Sequence, residues 1–142
     1  MGQYVFIDTS GWIALYHKKD KFHEKAIKIN KELLDNNYYY ITTNFIFDET
    51  ITALLYKANH SLSVNFGERI QNTENVRVIY ITREIENKSW ELFKKYSDKE
   101  FSFTDCTSFV ILQGLFEDKR VKEVKLFASD NHFCQMGYEI LL

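Results

Sequence analysis

Apolar positions follow two rhythms along this chain. Short runs such as "YVFI" at 4–7, the aromatic stretch at 38–41, "VRVIYI" at 76–81 and "VKLFAS" at 124–129 have the length and the β-branched or aromatic content of strands. Between them, apolar residues recur at helical spacing. Phe22, Ala26, Ile29, Leu33 and Leu34 predict a helix over 20–35. "TREIENKSWELFKKYS" predicts another, with Thr82 as cap and Ile85, Trp90 and Phe93 among its apolar residues. Helices are also predicted over 10–16 with Thr9 or Ser10 as cap, over "TTNFIFDETITALLYKANH" capped at Thr42 or Thr43, over 61–72, and over "TDCTSFVILQGLF" capped at Thr104. The first strand is predicted over 3–8, a short helix follows Asp130, and "YEILL" is placed at the edge of the sheet.

Strands alternating with helices predict an α/β fold with a mostly parallel sheet covered on both faces. Continuous apolar strands agree, because parallel strands are buried on both sides. Ligands of such sheets gather beyond the carboxyl ends of the strands. Asp8 and Asp130 each stand where a predicted strand ends.

Composition narrows the picture without redirecting it. The 142 residues predict one domain over 1–142, with no proline, no Gly/Ser-rich linker and no repeat to divide it. A net charge of -2 provides no global positive field for a polyanion, so such a substrate would need metal ions to supply positive charge. Cys106 and Cys134 lack a C-x-x-C spacing and read as buried thiols of a reduced compartment. No basic segment followed by an apolar run opens the chain, and no apolar stretch reaches bilayer length. The reading is a soluble, cytosolic protein without a membrane partner.

Four acids have apolar or small neighbours: Asp8 in "FIDTS", Glu49 in "FIFDETITALL", Asp105 in "FTDCTSFVIL" and Asp130 in "FASDNHF". Asp8 and Asp130 are as well placed to cap helices as to serve a site, and Asp105 falls in a first helical turn, where the dipole favours a carboxylate. Glu49 lies mid-helix in mostly apolar company, where capping is no explanation and unpaired burial is costly. Its neighbour Asp48 competes, and periodicity alone does not choose between them. If the four converge, each close pair costs about 1–4 kcal/mol at about 4 Å. A fold tolerates this when a cation compensates or protons are taken up. All-oxygen ligands suit Mg²⁺ or Mn²⁺. Thr9, Ser10, Asn44, Thr104, Thr107 and Ser108 are hydroxyl or amide groups able to orient carboxylates, and most of them could equally be caps.

"FIDTSGWIAL", the mid-helix Glu of "TTNFIFDETITAL", "SDKEFSFTDCTSFVIL" and "LFASDNHF" together resemble the four acidic motifs of the PIN-domain superfamily, in order and over essentially the whole chain. Within it the chain is most similar to the compact VapC-type toxins and their solitary relatives. The resemblance implies a three-layer α/β/α sandwich with a central parallel sheet, and cleavage of RNA with Mg²⁺ or Mn²⁺. It implies Asp8, Glu49, Asp105 and Asp130 as catalytic metal ligands, preferring Glu49 over Asp48. It implies polar support from Thr9, Ser10, Asn44, Thr104 and Ser108. It also implies a homodimer held inactive by an antitoxin protein, with the early helices and residues 43–72 forming the partner groove.

The expected chemistry is attack of activated water on a phosphodiester, leaving 5′-phosphate and 3′-hydroxyl ends. Lys18, Lys19, Lys21, Lys94 and Lys95 are candidate phosphate contacts, and the tyrosines at 38–40 a stacking face, although each also reads as ordinary surface or strand core. His132 lies close to Asp130, but the four histidines share no metal-ligand spacing. Two other classes compete. A phosphatase of the haloacid-dehalogenase type wants D-x-D after the first strand, and here Ser10 stands in the second place. A non-catalytic binding module of the same fold would have no need of all four acids.

Overall fold

The computed structural model describes residues 2–142. Strands β1 (Gly2–Ile7), β2 (Tyr39–Thr43), β3 (Val76–Ile79) and β4 (Val121–Phe127) form one parallel sheet in the order β3-β2-β1-β4. Val5, Phe6 and Ile7 are successive residues on alternate faces, and all are fully buried. Both faces of the sheet are therefore covered, as the uninterrupted apolar run predicts.

Helices α1 (Thr9–Tyr16), α2 (His23–Asp35), α3 (Asn44–Lys57), α4 (His60–Asn72), α5 (Arg83–Lys95), α6 (Phe103–Glu117) and α7 (Asn131–Gln135) fill the connections. Thr43, Asn59 and Thr82 cap α3, α4 and α5 by accepting from the backbone three residues on. An aromatic cluster ties α1 to α4, with Phe66 edge-on to Trp12 at 5.3 Å and to Tyr16 at 5.0 Å. The buried Trp12 Nε1 donates to Thr42 Oγ1, which in turn donates to the Ile7 carbonyl at the end of β1.

Several local expectations need correction. The helix expected from residue 20 begins at His23, because Asp20 turns the chain by accepting from the Phe22 N–H. The third strand stops at Ile79, and the fourth begins at Val121. The cap of α6 is Ser102 rather than Thr104: its hydroxyl accepts from Asp105 N while the Asp105 carboxylate accepts from Ser102 N, a reciprocal capping box. "YEILL" contributes a single parallel bridge, Ile140 to Leu126, rather than a strand. Cys106 is buried, but Cys134 is exposed on α7, where Phe133 takes the inward position.

The chain builds β1, β2 and β3 outward and then returns to lay β4 on the other side of β1. That reversal creates a topological switch point between β1 and β4, where a crevice opens beyond their carboxyl ends. Gly11 brings α1 and β4 close. A Cβ there would collide with the Phe127 carbonyl oxygen.

Candidate active site

Asp8 follows the last residue of β1 directly, and Asp130 stands three residues past β4, so the switch point places both at one crevice. Asp8 occupies the N-cap position of α1, yet its side chain makes no capping bond. Only 4% of Asp8 is exposed. Burial raises its carboxyl from the ordinary 3.8 to about 7, and repulsion from Asp105, Glu49 and Asp130 adds to the rise; the Thr9 backbone N–H offsets part of it. Asp8 thus lies within electrostatic reach of the other three acids. Among the described residues no lysine or arginine pairs with any of them, and the basic side chain that does is His132.

Asp105 sits in the first turn of α6 and combines two duties. Its Oδ2 accepts from Ser102 N at 3.0 Å and lies 2.7 Å from His132 Nδ1. Burial raises its carboxyl above the usual range and Asp130 adds to this, while the Ser102 N–H and His132 pull it back. Asp130 caps α7 through Oδ1, which accepts from His132 N at 2.9 Å and approaches His132 Nδ1 at 3.3 Å. The cap and site readings of Asp105 and Asp130 are thus realised together.

One ligand atom each from Asp105, Asp130 and His132 lies within 4.8 Å of the others, close enough to share one ion. Spacing along the sequence does not reveal His132, because its partner Asp105 is 27 residues away. The short interval between Asp130 and His132 was the available signal. Phe101 packs edge-on against the imidazole at 5.4 Å.

Glu49 is exposed on α3 rather than buried in apolar surroundings, so the burial argument for it fails. Tertiary contact supplies what periodicity could not. Thr9 Oγ1 donates to Glu49 Oε1 at 2.6 Å, tying that carboxylate to the residue beside Asp8. Asp48 lines the same depression, of about 610 Å³, with Thr104 and Phe45, but no such bond holds it. Ser10 Oγ accepts from Ser129 N at 3.0 Å and points its hydroxyl toward Asp8 Oδ2 at 3.4 Å, bracing the ends of β1 and β4. Asn44 Oδ1 accepts from Ile81 N and fastens the chain after β3. Ser108 is fully buried on α6, one turn past Asp105, with its hydroxyl unpartnered.

Residues 5–137 match the family model described as PIN domain. The 23S rRNA-specific endonuclease VapC20 of Mycobacterium tuberculosis is 30% identical over 134 residues, spanning 94% of this chain and 95% of that protein. A VapC ribonuclease of Archaeoglobus fulgidus is 31% identical over 131 residues, spanning 91% of this chain and 78% of that protein. The crystal structure of Mycobacterium tuberculosis VapC20, described as a sarcin-ricin loop cleaving toxin, aligns with a TM-score of 0.79 and 29% identity, covering 95% of this chain and 96% of that one.

Proposed function

The chain belongs to the PIN-domain family, and from that premise we propose that it is a metal-dependent endoribonuclease hydrolysing RNA phosphodiester bonds, the toxin of a toxin–antitoxin pair. The observation that carries the reading is the buried Asp8 carboxylate, without a lysine or arginine partner, at the crevice where Asp105, Asp130 and His132 bring ligand atoms within 4.8 Å of one another. Such a group is stable only protonated or beside a cation.

The donor set fits Mg²⁺ or Mn²⁺. The clustered ligand atoms are those of Asp105, Asp130 and His132: the carboxylate oxygens suit either ion, as would those of Asp8 and Glu49 beside them, and the His132 imidazole is more at ease with Mn²⁺. A bound divalent ion supplies a water of lowered pKa, neutralises the phosphate and stabilises the leaving oxygen.

The chain's own residues do the rest. Asp8, Asp105 and Asp130 would hold the ion, with Ser10 fixing the end of β1 against Ser129 so that Asp8 and Asp130 keep their spacing. Thr9 holds Glu49 through Oε1 and leaves Oε2 free to accept the proton of the attacking water. Phe101 buttresses the His132 ring, and that ring orients Asp105 Oδ2. RNA is the substrate class, an antitoxin protein the inhibitory partner and a homodimer the working assembly. Among the described residues no helix is long and apolar enough to cross a membrane.

The test is an RNA cleavage assay with Mn²⁺ against EDTA, comparing the parent with Asp8→Asn. Cleavage is expected only for the parent with metal, leaving 5′-phosphate and 3′-hydroxyl ends. Parent-rate cleavage by Asp8→Asn would remove Asp8 from the centre. A 2′,3′-cyclic phosphate would replace water by the 2′-hydroxyl as nucleophile.

A further inference from the structure

Lysines are spread unevenly along this chain. Six of them fall between residues 18 and 31, against two acids, Asp20 and Glu24, although the whole chain carries a net charge of -2. Asp20 is engaged in the turn before α2, where it accepts from the Phe22 N–H. The fold then concentrates the charge. Lys18 and Lys19, from the connection between α1 and α2, share a depression of about 340 Å³ with Lys57 at the end of α3, His17 and Asn59. No carboxylate lines that depression. Among the described residues none of the three lysines joins an ion pair.

Helix ends account for part of this arrangement. The negative end of α3 favours Lys57, the basic residue of its last turn. That effect fades within one turn, and α4 begins at the same depression with its positive end, capped by Asn59. Three like charges around one hollow therefore call for an anion. The acidic centre has the matching need. A divalent ion neutralises the scissile phosphate, but the phosphates beside it approach a crevice of acids. The two helices joined at that centre by the Thr9–Glu49 bond, α1 and α3, both end at the basic depression. Glu49 and Lys57 are eight residues apart on α3, about 12 Å along its axis. At roughly 3.4 Å per phosphate along a helical strand, this spans about three to four nucleotides. Between them α3 carries no charged residue and exposes Thr52 and Tyr56, so nothing repels a phosphate on the way.

We infer that Lys18, Lys19 and Lys57 form a phosphate clamp that grips the RNA backbone about three to four nucleotides from the scissile bond. The inference rests on the ribonuclease reading for its substrate, though its readout is binding and does not depend on cleavage.

The test uses the full chain and a fluorescein-labelled oligouridylate, bound in EDTA at several salt concentrations and cut in Mn²⁺. The variant carrying Lys18→Gln, Lys19→Gln and Lys57→Gln should lower the slope of log affinity against log salt by about 2, at about 0.7 per phosphate contact on a single strand. That amounts to a loss of about 100-fold at ~0.05 M salt, closing near ~0.5 M. In Mn²⁺ the same variant should raise KM with kcat little changed. Lys18→Arg, Lys19→Arg and Lys57→Arg together should keep the parent slope. Lys119→Gln, Lys122→Gln and Lys125→Gln together remove the same charge at β4 and should leave the slope little changed. If the first variant melts early, its single substitutions decide instead, each lowering the slope by about 0.7. The clamp is overturned if the β4 variant loses as much as the first, if the first binds like the parent, or if the parent binds no RNA. Poly-L-glutamate binding the parent more tightly than the RNA, with the same loss in the first variant, would make the hollow a dock for an acidic protein segment instead. If the parent binds RNA through these lysines but cuts nothing in Mn²⁺, the clamp stands and the nuclease reading fails. If the parent cuts and the first variant matches it in slope and KM, the clamp alone fails.

Discussion

Replacing Asp8 by Asn should make the metal-free protein more stable while destroying its activity. The folded chain holds the Asp8 carboxyl at about 7 against an ordinary 3.8, so between those values the folded state binds more protons than the unfolded state. Stability therefore falls as pH rises through that window and is lowest above it. At about 1.4 kcal/mol per tenfold change in proton concentration, the interval amounts to about 4 kcal/mol. The amide of the Asp8→Asn variant carries no charge, so above pH 7 the variant escapes most of that cost. The weak contact from Ser10 Oγ, at 3.4 Å, can still be accepted by an amide oxygen. At this chain length about 4 kcal/mol corresponds to a rise of about 13 °C in melting temperature. The assay is thermal unfolding in EDTA at pH 5 and pH 8, with and without the substitution. The parent should melt lower at pH 8 than at pH 5, and the variant should show a much smaller difference. Added Mn²⁺ should raise the parent at pH 8 by mass action and leave the variant nearly unmoved. A parent with a flat pH profile, or a variant that melts below it at pH 8 in EDTA, would refute the claim that Asp8 is a crowded, unpaired carboxylate.

Three further expectations concern individual contacts. Glu49→Gln should lower kcat at least about 100-fold, whereas Asp48→Asn, which lacks the Thr9 contact, should cut RNA near the parent rate; the reverse order would exchange their roles. His132→Phe preserves a ring against Phe101 but removes both nitrogens, and calorimetric titration should show Mn²⁺ affinity falling about 10- to 100-fold, with an unchanged affinity excluding the imidazole. Gly11→Ala forces a methyl into the Phe127 carbonyl oxygen and should destabilise the fold by about 3 kcal/mol in urea unfolding, a value near zero meaning that α1 can back away from β4.

The elements and the acids were legible in the chain because each depends on near neighbours. Strand β1 is apolar over consecutive residues since both faces are buried, and the next residue, Asp8, must then lie at the rim. Thr82 caps α5 as the sequence predicts, and Thr43 caps α3 as one of the two residues the sequence offers, because a cap bond spans only three residues. Local pattern can still mislead within that span: the sequence points to Thr104 as the cap of α6, whereas Ser102 takes it because its partner at N3 reciprocates.

What the chain could not disclose lies between residues far apart. The order β3-β2-β1-β4 decides that Asp8 and Asp130 face one crevice, and it depends on which strands find each other in space. Glu49 is distinguished from Asp48 by Thr9, 40 residues away, and His132 joins Asp105 across 27. Ser10 braces the two strand ends across 119. Local propensity fixes which residues are strand, helix or turn. A hydrogen bond or a shared charge depends on a few tenths of an ångström between atoms that only the packed core brings together, and so the centre itself belongs to the tertiary structure.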